Sequence, residues 1–142
     1  MSLLEPVRKE PFVDSKYILG ITELDSQHKE IETLFTALQD AAENRDRCHF
    51  LLESLCERLK FHFYVEESIM GIFAYPEFQE HRRSHREIIK SLEGYRDNIL
   101  SNAKSEKLRD DRPMQLFFEQ IHSQDVRFAA FIKRNKERLG IQ

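Results

Sequence analysis

Hydrophobic residues recur along most of this chain at the three- and four-residue spacing of amphipathic helices. One stripe has an alternating spacing of four and three residues, which is typical of a helix packed inside a bundle. It consists of Cys48, Leu52, Leu55, Leu59, His62, Glu66, Ile69 and Phe73. This stripe predicts a helix over about residues 46–74, and Pro76 is expected to end it because the residue before a proline avoids helical geometry.

Three other segments have the same period and predict helices over about residues 25–44, 77–103 and 113–139. Asp25 is the predicted N-cap of the first of these helices. Pro113 suits the first turn of the last one. Four long helices joined by short polar turns predict an all-α fold, an up-down-up-down four-helix bundle.

The beginning of the chain differs from the rest. It contains Pro6 and Pro11 and has no helical period, so we expect an extended N-terminal arm over residues 1–20. The bundle is then expected to occupy residues 21–142 as a single domain, which is an ordinary domain length.

The composition supports a helical core and argues against several classes of function. Hydrophobic residues make up 40% of the sequence, and the net charge of −3 argues against nucleic-acid binding. No apolar run is long enough to span a bilayer and nothing resembles a signal peptide, so we expect a soluble, cytoplasmic protein. Cys48 and Cys56 are about 12 Å apart along one predicted helix, so we expect free thiols and no disulfide between them.

Each predicted helix carries at least one metal-ligand type of residue on its apolar side. These residues are His28, His62, Glu66, His81, His85 and Asp125. A single histidine on an apolar face is more often an ordinary core residue, but the coincidence over four helices favours a shared site. A buried, unpaired carboxylate is costly, and a metal ion is the simplest compensation. Imidazoles with a few carboxylates suit iron, zinc, copper or nickel, and two carboxylates among four histidines suit two ions, because a carboxylate can bridge two cations.

The ordered set of motifs resembles the hemerythrin family, specifically the bacterial hemerythrins, over nearly the whole chain. The matching motifs are Gly20-Ile21, Leu24-Asp25-Ser26-Gln27-His28-Lys29, His62-x-x-x-Glu66-Glu67-x-x-Met70, Tyr75-Pro76, His81-x-x-x-His85, and Asp125 followed by Phe128. The resemblance implies a four-helix bundle with two non-haem iron ions and an oxo or hydroxo bridge. By this resemblance, Glu66 and Asp125 of this chain would bridge the two irons.

The resemblance also assigns the histidines. His28 and His62 would hold the iron that takes up dioxygen, and His81 and His85 would hold the other. The implied function is reversible dioxygen binding, as an oxygen carrier or as an oxygen or redox sensor with a fused or separate signalling output domain. Peroxidase or oxidase-type activity and iron handling are the alternatives.

The sequence departs from the family at the second iron. The family has a third histidine five residues before the Asp125 position, where this chain has Gln120, and Leu116 replaces a tryptophan. An amide carbonyl is a poorer ligand for iron than imidazole, so the second iron is expected to be weakly held or open at that position. His122 is the rival ligand. At about 100° of rotation per residue around the helix axis, Gln120 lies about 140° from Asp125, whereas His122 lies only about 60° from it.

Overall fold

The computed structural model describes residues 19–41, 43–101 and 110–138 of the chain. Its regular secondary structure is helical throughout these ranges, which contain no strand. The elements are α1 (Thr22–Asp40), α2 (Arg45–Phe73), α3 (Phe78–Ser101), α4 (Arg112–Gln120), a π-helical turn (Ile121–Asp125) and α5 (Val126–Arg138). The predicted arm lies outside the described residues except for its last two positions.

The start of α1 corrects the predicted N-cap. The helix begins at Thr22, so Asp25 lies inside its first turns. The Asp25 carboxylate instead accepts hydrogen bonds from the backbone N–H groups of Leu19 (2.8 Å) and Gly20 (3.0 Å). Gly20 has a φ of +84°, a conformation that favours glycine. Asp25 therefore fixes the chain that enters the helix, which the spacing alone did not indicate.

Short connections reverse the chain between the first three helices. The Asn44 side chain caps α2 by accepting a hydrogen bond from the Arg47 N–H at 3.0 Å. At the other end, Ala74 adopts a left-handed conformation and the Tyr75 N–H donates to the Met70 carbonyl at 2.9 Å. Consecutive helices pack against each other from α1 to α4. The predicted all-α four-helix bundle is confirmed.

The last helix is not the single regular helix that the sequence predicts. A π-helical turn separates α4 from α5, and the Val126 N–H donates to the carbonyl of Ile121, five residues earlier. An α-helix pairs residues four apart, so this turn contains one extra residue and shifts the faces of α4 and α5 relative to each other.

The core lies along the inner stripes of the helices. Fully buried side chains include Leu24, Ile31, Leu52, Leu55, Leu59, Met70, Ile88, Leu92, Phe117, Ile121 and Phe128. Two residues of the predicted α2 stripe, Ile69 and Phe73, are only partly buried, because Phe63 and Met70 turn inward instead. Cys48 and Cys56 are free and buried, as predicted. Among the described helices, none combines the length and apolarity needed to cross a membrane.

Candidate metal centre

The helices bring all six predicted ligand residues together in the core. The first donor group consists of His28, His62, Glu66 and Asp125, and the second donor group consists of Glu66, His81, His85 and Asp125. Within each group the donor atoms lie within 4.8 Å of one another, and every residue is buried. Glu66 and Asp125, the shared carboxylates, belong to both groups. Two adjacent sites joined by two carboxylates follow from this arrangement.

The separations between donor atoms match those around a metal ion. Two ligand atoms bound at about 2.1 Å and 90° apart lie about 3.0 Å from each other. His28 Nε2 lies 3.1 Å from His62 Nε2. Glu66 Oε1 lies 3.1 Å from His81 Nε2 and 2.8 Å from His85 Nε2. These atoms are therefore already near the spacing of a coordination shell.

The shared carboxylates each retain an unsatisfied oxygen. Glu66 Oε2 and Asp125 Oδ2 are buried and have no hydrogen-bond partner among the residues that the structure describes. Imidazole nitrogens lie nearby, with His62 Nε2 3.8 Å from the glutamate oxygen and His28 Nε2 3.5 Å from the aspartate oxygen. A buried carboxylate oxygen without a partner is costly. A cation between the groups would remove that cost, so the residues fit the metal pair that the motifs predict.

Two residues outside the predicted set orient the histidines. The His62 Nδ1–H donates to Gln27 Oε1 at 2.7 Å, and the His85 Nδ1–H donates to Glu67 Oε2 at 2.7 Å. With Nδ1 bound in this way, Nε2 of each imidazole is directed at the cluster. Hydrogen-bond partners of this kind usually orient the histidine ligands of metal sites. Sequence reasoning assigned neither residue a role, although each is adjacent in sequence to a predicted ligand.

Burial determines the pKa of one histidine in the first donor group. It lowers the pKa of His62 to about 4, so this imidazole is neutral at physiological pH. Burial alone would raise the pKa of Glu66, but the hydrogen bonds from His81 and His85 outweigh it and hold that pKa well below its usual range. An ionised carboxylate and a neutral imidazole are the protonation states that bind metal ions.

The second donor group is ionised differently. Burial alone would lower the pKa of His81, but hydrogen bonds to Asp125 (2.6 Å) and Glu66 raise it to about 9. Against the same effect of burial, hydrogen bonds to Glu66 and Glu67 raise the pKa of His85. Without a metal ion, the imidazolium form of His81 therefore balances part of the negative charge of the buried carboxylates. A metal pair would replace this positive charge and displace the proton.

Aromatic rings enclose the cluster. Phe117 meets His28 edge-on with ring centroids 5.7 Å apart. Phe63 stacks on His85 with centroids 3.8 Å apart and an interplanar angle of 9°. Phe128 lies 5.9 Å from His81 between centroids. These rings place apolar surface against histidines of both donor groups.

The π-helical turn places the two rival residues differently. Gln120 is buried, with 4% of its surface exposed, and so is Asp125 five residues later. His122 is exposed and belongs to neither donor group. The estimate that favoured His122 used a constant rotation per residue, which the extra residue of the π turn invalidates. The structure therefore leaves His122 outside the cluster and buries Gln120.

Comparison with known proteins gives one family. Residues 19–133 match the family model described as Hemerythrin HHE cation binding domain, a span that includes all six donors. The bacteriohemerythrin of Pseudomonas paraeruginosa (strain DSM 24068 / PA7) is 29% identical over 79 residues, which are 54% of this chain and 52% of that protein. The bacteriohemerythrin of Pseudomonas aeruginosa (strain UCBPP-PA14) has the same identity and coverage. The chain spans about half the length of the curated relatives it matches.

Proposed function

Because the chain belongs to the hemerythrin family, we propose that it holds two iron ions between its donor groups and binds dioxygen there reversibly. The observation that carries this proposal is the pair of buried donor groups that share Glu66 and Asp125. Two iron ions supply the two electrons that reversible dioxygen uptake requires. As a carrier or as the sensing domain of a signalling protein, the chain would use the same chemistry.

The residues of the first donor group suit the iron that takes up dioxygen. Gln27 holds His62 with Nε2 toward the cluster, and burial keeps that imidazole neutral and ready to bind. The edge of Phe117 covers His28 and His62, with ring centroids 5.7 and 6.4 Å away. An apolar wall limits the access of water, which favours release of intact dioxygen over loss of the iron electrons.

The shared carboxylates supply the negative charge for both cations. The hydrogen bonds that keep Glu66 ionised come from His81 and His85, so the carboxylate is ready to bind as soon as these imidazoles release their protons. His85 then keeps its Nδ1–H bond to Glu67, which anchors the ring while Nε2 binds. The second donor group thus holds an iron ion by charge as well as by orientation.

Iron loading of metal-free protein under anaerobic conditions tests the proposal. We expect about two iron ions per chain by elemental analysis, because each donor group supplies four ligands. Exposure to air should then produce charge-transfer bands that disappear when oxygen is removed with argon. The variant His122→Ala is the matched control, since it removes a histidine that lies outside both groups, and it should load and respond like the parent chain.

Other outcomes of the same experiment identify the alternative functions. Bands that form but do not reverse, together with peroxide turnover above that of free iron, would indicate a peroxidase or oxidase. Rapid loss of iron to a mild chelator would indicate iron handling. Uptake of clearly fewer than two iron ions per chain would contradict the proposal as a whole.

A further inference from the structure

Gln120 is a buried side chain without a polar partner. It is the last residue of α4, and only 4% of its surface is exposed. Neither Oε1 nor Nε2 has a hydrogen-bond partner among the described residues. A buried amide in a folded protein nearly always bonds to protein, water or a ligand. This side chain therefore indicates a polar molecule beside it.

A cavity of about 160 Å³ lies between α3 and the segment formed by α4 and the π-helical turn. We call it the Gln120 cavity; its polar lining residues are Ser84, Glu87, Glu119, Gln120, Ser123 and Gln124. Gln124 Oε1 is a second buried atom with no hydrogen-bond partner in the described chain. A water molecule needs only about 10–15 Å³ of such space and two or more polar partners. The cavity is therefore large and polar enough for several small molecules.

The residues that line the Gln120 cavity flank the second donor group in the chain. Ser84 precedes His85 on α3, and Ile88 follows one turn later on the same buried stripe. On the opposite wall, Gln120 and Gln124 belong to the segment that carries Asp125. No lining residue comes from α1 or α2, which carry the two histidines of the first donor group. The cavity is thus bounded by helices that carry His81, His85 and Asp125 and by no helix that carries His28 or His62.

We propose that the Gln120 cavity delivers water and other small neutral ligands to the metal ion held by His81 and His85. Gln120 then hydrogen-bonds that external ligand. This inference rests on the proposed function. The amide has one acceptor and one donor group available, so it can hold a ligand of either polarity. The exposed carboxylates Glu87 and Glu119 at the cavity rim favour neutral ligands over anions.

Nitric oxide is a suitable probe because it is small, neutral and binds ferrous iron at open positions. In anaerobic protein loaded with two ferrous ions, we expect about two nitric oxide molecules per iron pair and two N–O stretching bands in the infrared spectrum. In Gln120→His, an imidazole should fill the position, as it does in the family, leaving about one nitric oxide molecule and one band. The number of N–O bands in the infrared spectrum does not depend on dioxygen binding.

A second variant acts on the cavity without changing the residue beside the metal site. Ser123 is exposed at the cavity mouth, and Ser123→Trp should narrow it. We expect binding of the second nitric oxide molecule to slow roughly tenfold or more while the first is unaffected, because access then requires a rearrangement. This variant keeps the inference testable if Gln120→His does not fold.

The outcomes separate the inference from the proposed function. Two bound irons with a single nitric oxide band in the parent chain would overturn the inference and leave the di-iron centre intact. Two N–O bands that persist in folded Gln120→His would also overturn the inference. So would an unchanged rate of binding of the second nitric oxide molecule in Ser123→Trp. Failure of the parent chain to load two irons would instead overturn the proposed function, and the inference with it.

Discussion

The two halves of the donor cluster contain the same residue types in different surroundings. His62 in the first donor group bonds to a neutral amide, that of Gln27, whereas His85 in the second bonds to the carboxylate of Glu67. The pKa of His62 is lowered to about 4 and that of His81 is raised to about 9. Phe117 covers the first half, Phe63 and Phe128 cover histidines of the second, and the polar Gln120 cavity lies on the side of α3 and α4.

This difference shows how one bundle can build two unlike donor groups. In the first half, burial dominates and leaves a neutral imidazole in a dry environment. In the second, hydrogen bonds to carboxylates outweigh burial and leave a charged environment at His81. We infer that the halves differ in metal affinity, in response to pH and in access of small molecules, although both depend on the shared carboxylates.

Loss of a shared carboxylate should have the largest effect. Glu66→Gln keeps the shape of the side chain but removes an anionic ligand from both donor groups at once. We expect iron content by elemental analysis to fall from about two ions per chain to less than one. By contrast, His62→Ala and His85→Ala each remove a ligand from one group only and should retain about one iron. Retention of both irons by Glu66→Gln would show that the halves do not share this ligand.

The orienting residues should affect the two halves unequally. Glu67→Ala removes a charged acceptor from His85, and such outer partners typically change metal affinity by about 10–100-fold. Gln27→Ala removes a neutral bond worth about 1 kcal/mol, or about fivefold in affinity. Anaerobic competition with a ferrous chelator measures both effects.

A matched control for Glu67→Ala exists on the neighbouring surface. Glu93 pairs with Lys60 at 3.1 Å, and both side chains are partly exposed. Because an exposed pair contributes little, Glu93→Ala should leave iron affinity unchanged. An equal loss of affinity in the Gln27 and Glu67 variants would remove the distinction between a neutral and a charged half.

Sequence reasoning predicted the bundle and the convergence of ligand-type residues because both follow from regular periods. His81 and His85 are four residues apart on α3, and any helix places such residues on one face. The π-helical turn has no such signal: Ile121–Asp125 looks regular in sequence, so spacing alone favoured the exposed His122, while the family resemblance favoured position 120. The roles of Gln27 and Glu67 were hidden too, since a contact between helices depends on side-chain direction as well as on spacing.

The halves should also respond differently to pH. Below a pKa of about 9, His81 carries a proton that a metal ion must displace, so the affinity of the second half should rise as pH increases from 6.5 to 8.5. The slope should be about tenfold per pH unit for each proton displaced. His62 is already neutral above about pH 4 and adds no such slope to the first half. Chelator competition on His62→Ala measures the second half alone, and the same experiment on His85→Ala measures the first half alone. Equal slopes of iron affinity against pH in the two variants would contradict the predicted difference between the halves.

The smallest expected effect concerns the dry wall of the first half. Phe117 is fully buried and its ring meets His28 edge-on. Phe117→Leu should lower the free energy of unfolding by about 1 kcal/mol, because a smaller side chain leaves part of the wall unfilled. Water that enters this gap should speed irreversible oxidation of the loaded centre.

The matched control for this wall is Phe50→Leu, the same substitution on the surface of α2, where 67% of Phe50 is exposed. This variant should change neither the free energy of unfolding nor the rate of irreversible oxidation, because surface substitutions alter stability by no more than about 0.5 kcal/mol. Urea unfolding measures the stability of each variant, and decay of the charge-transfer bands in air measures oxidation. If Phe117→Leu lowers stability without speeding oxidation, the ring is a packing residue only and dryness must come from other residues around the first half. If it speeds oxidation well beyond the surface control, the apolar wall sustains the reversible chemistry proposed for this half.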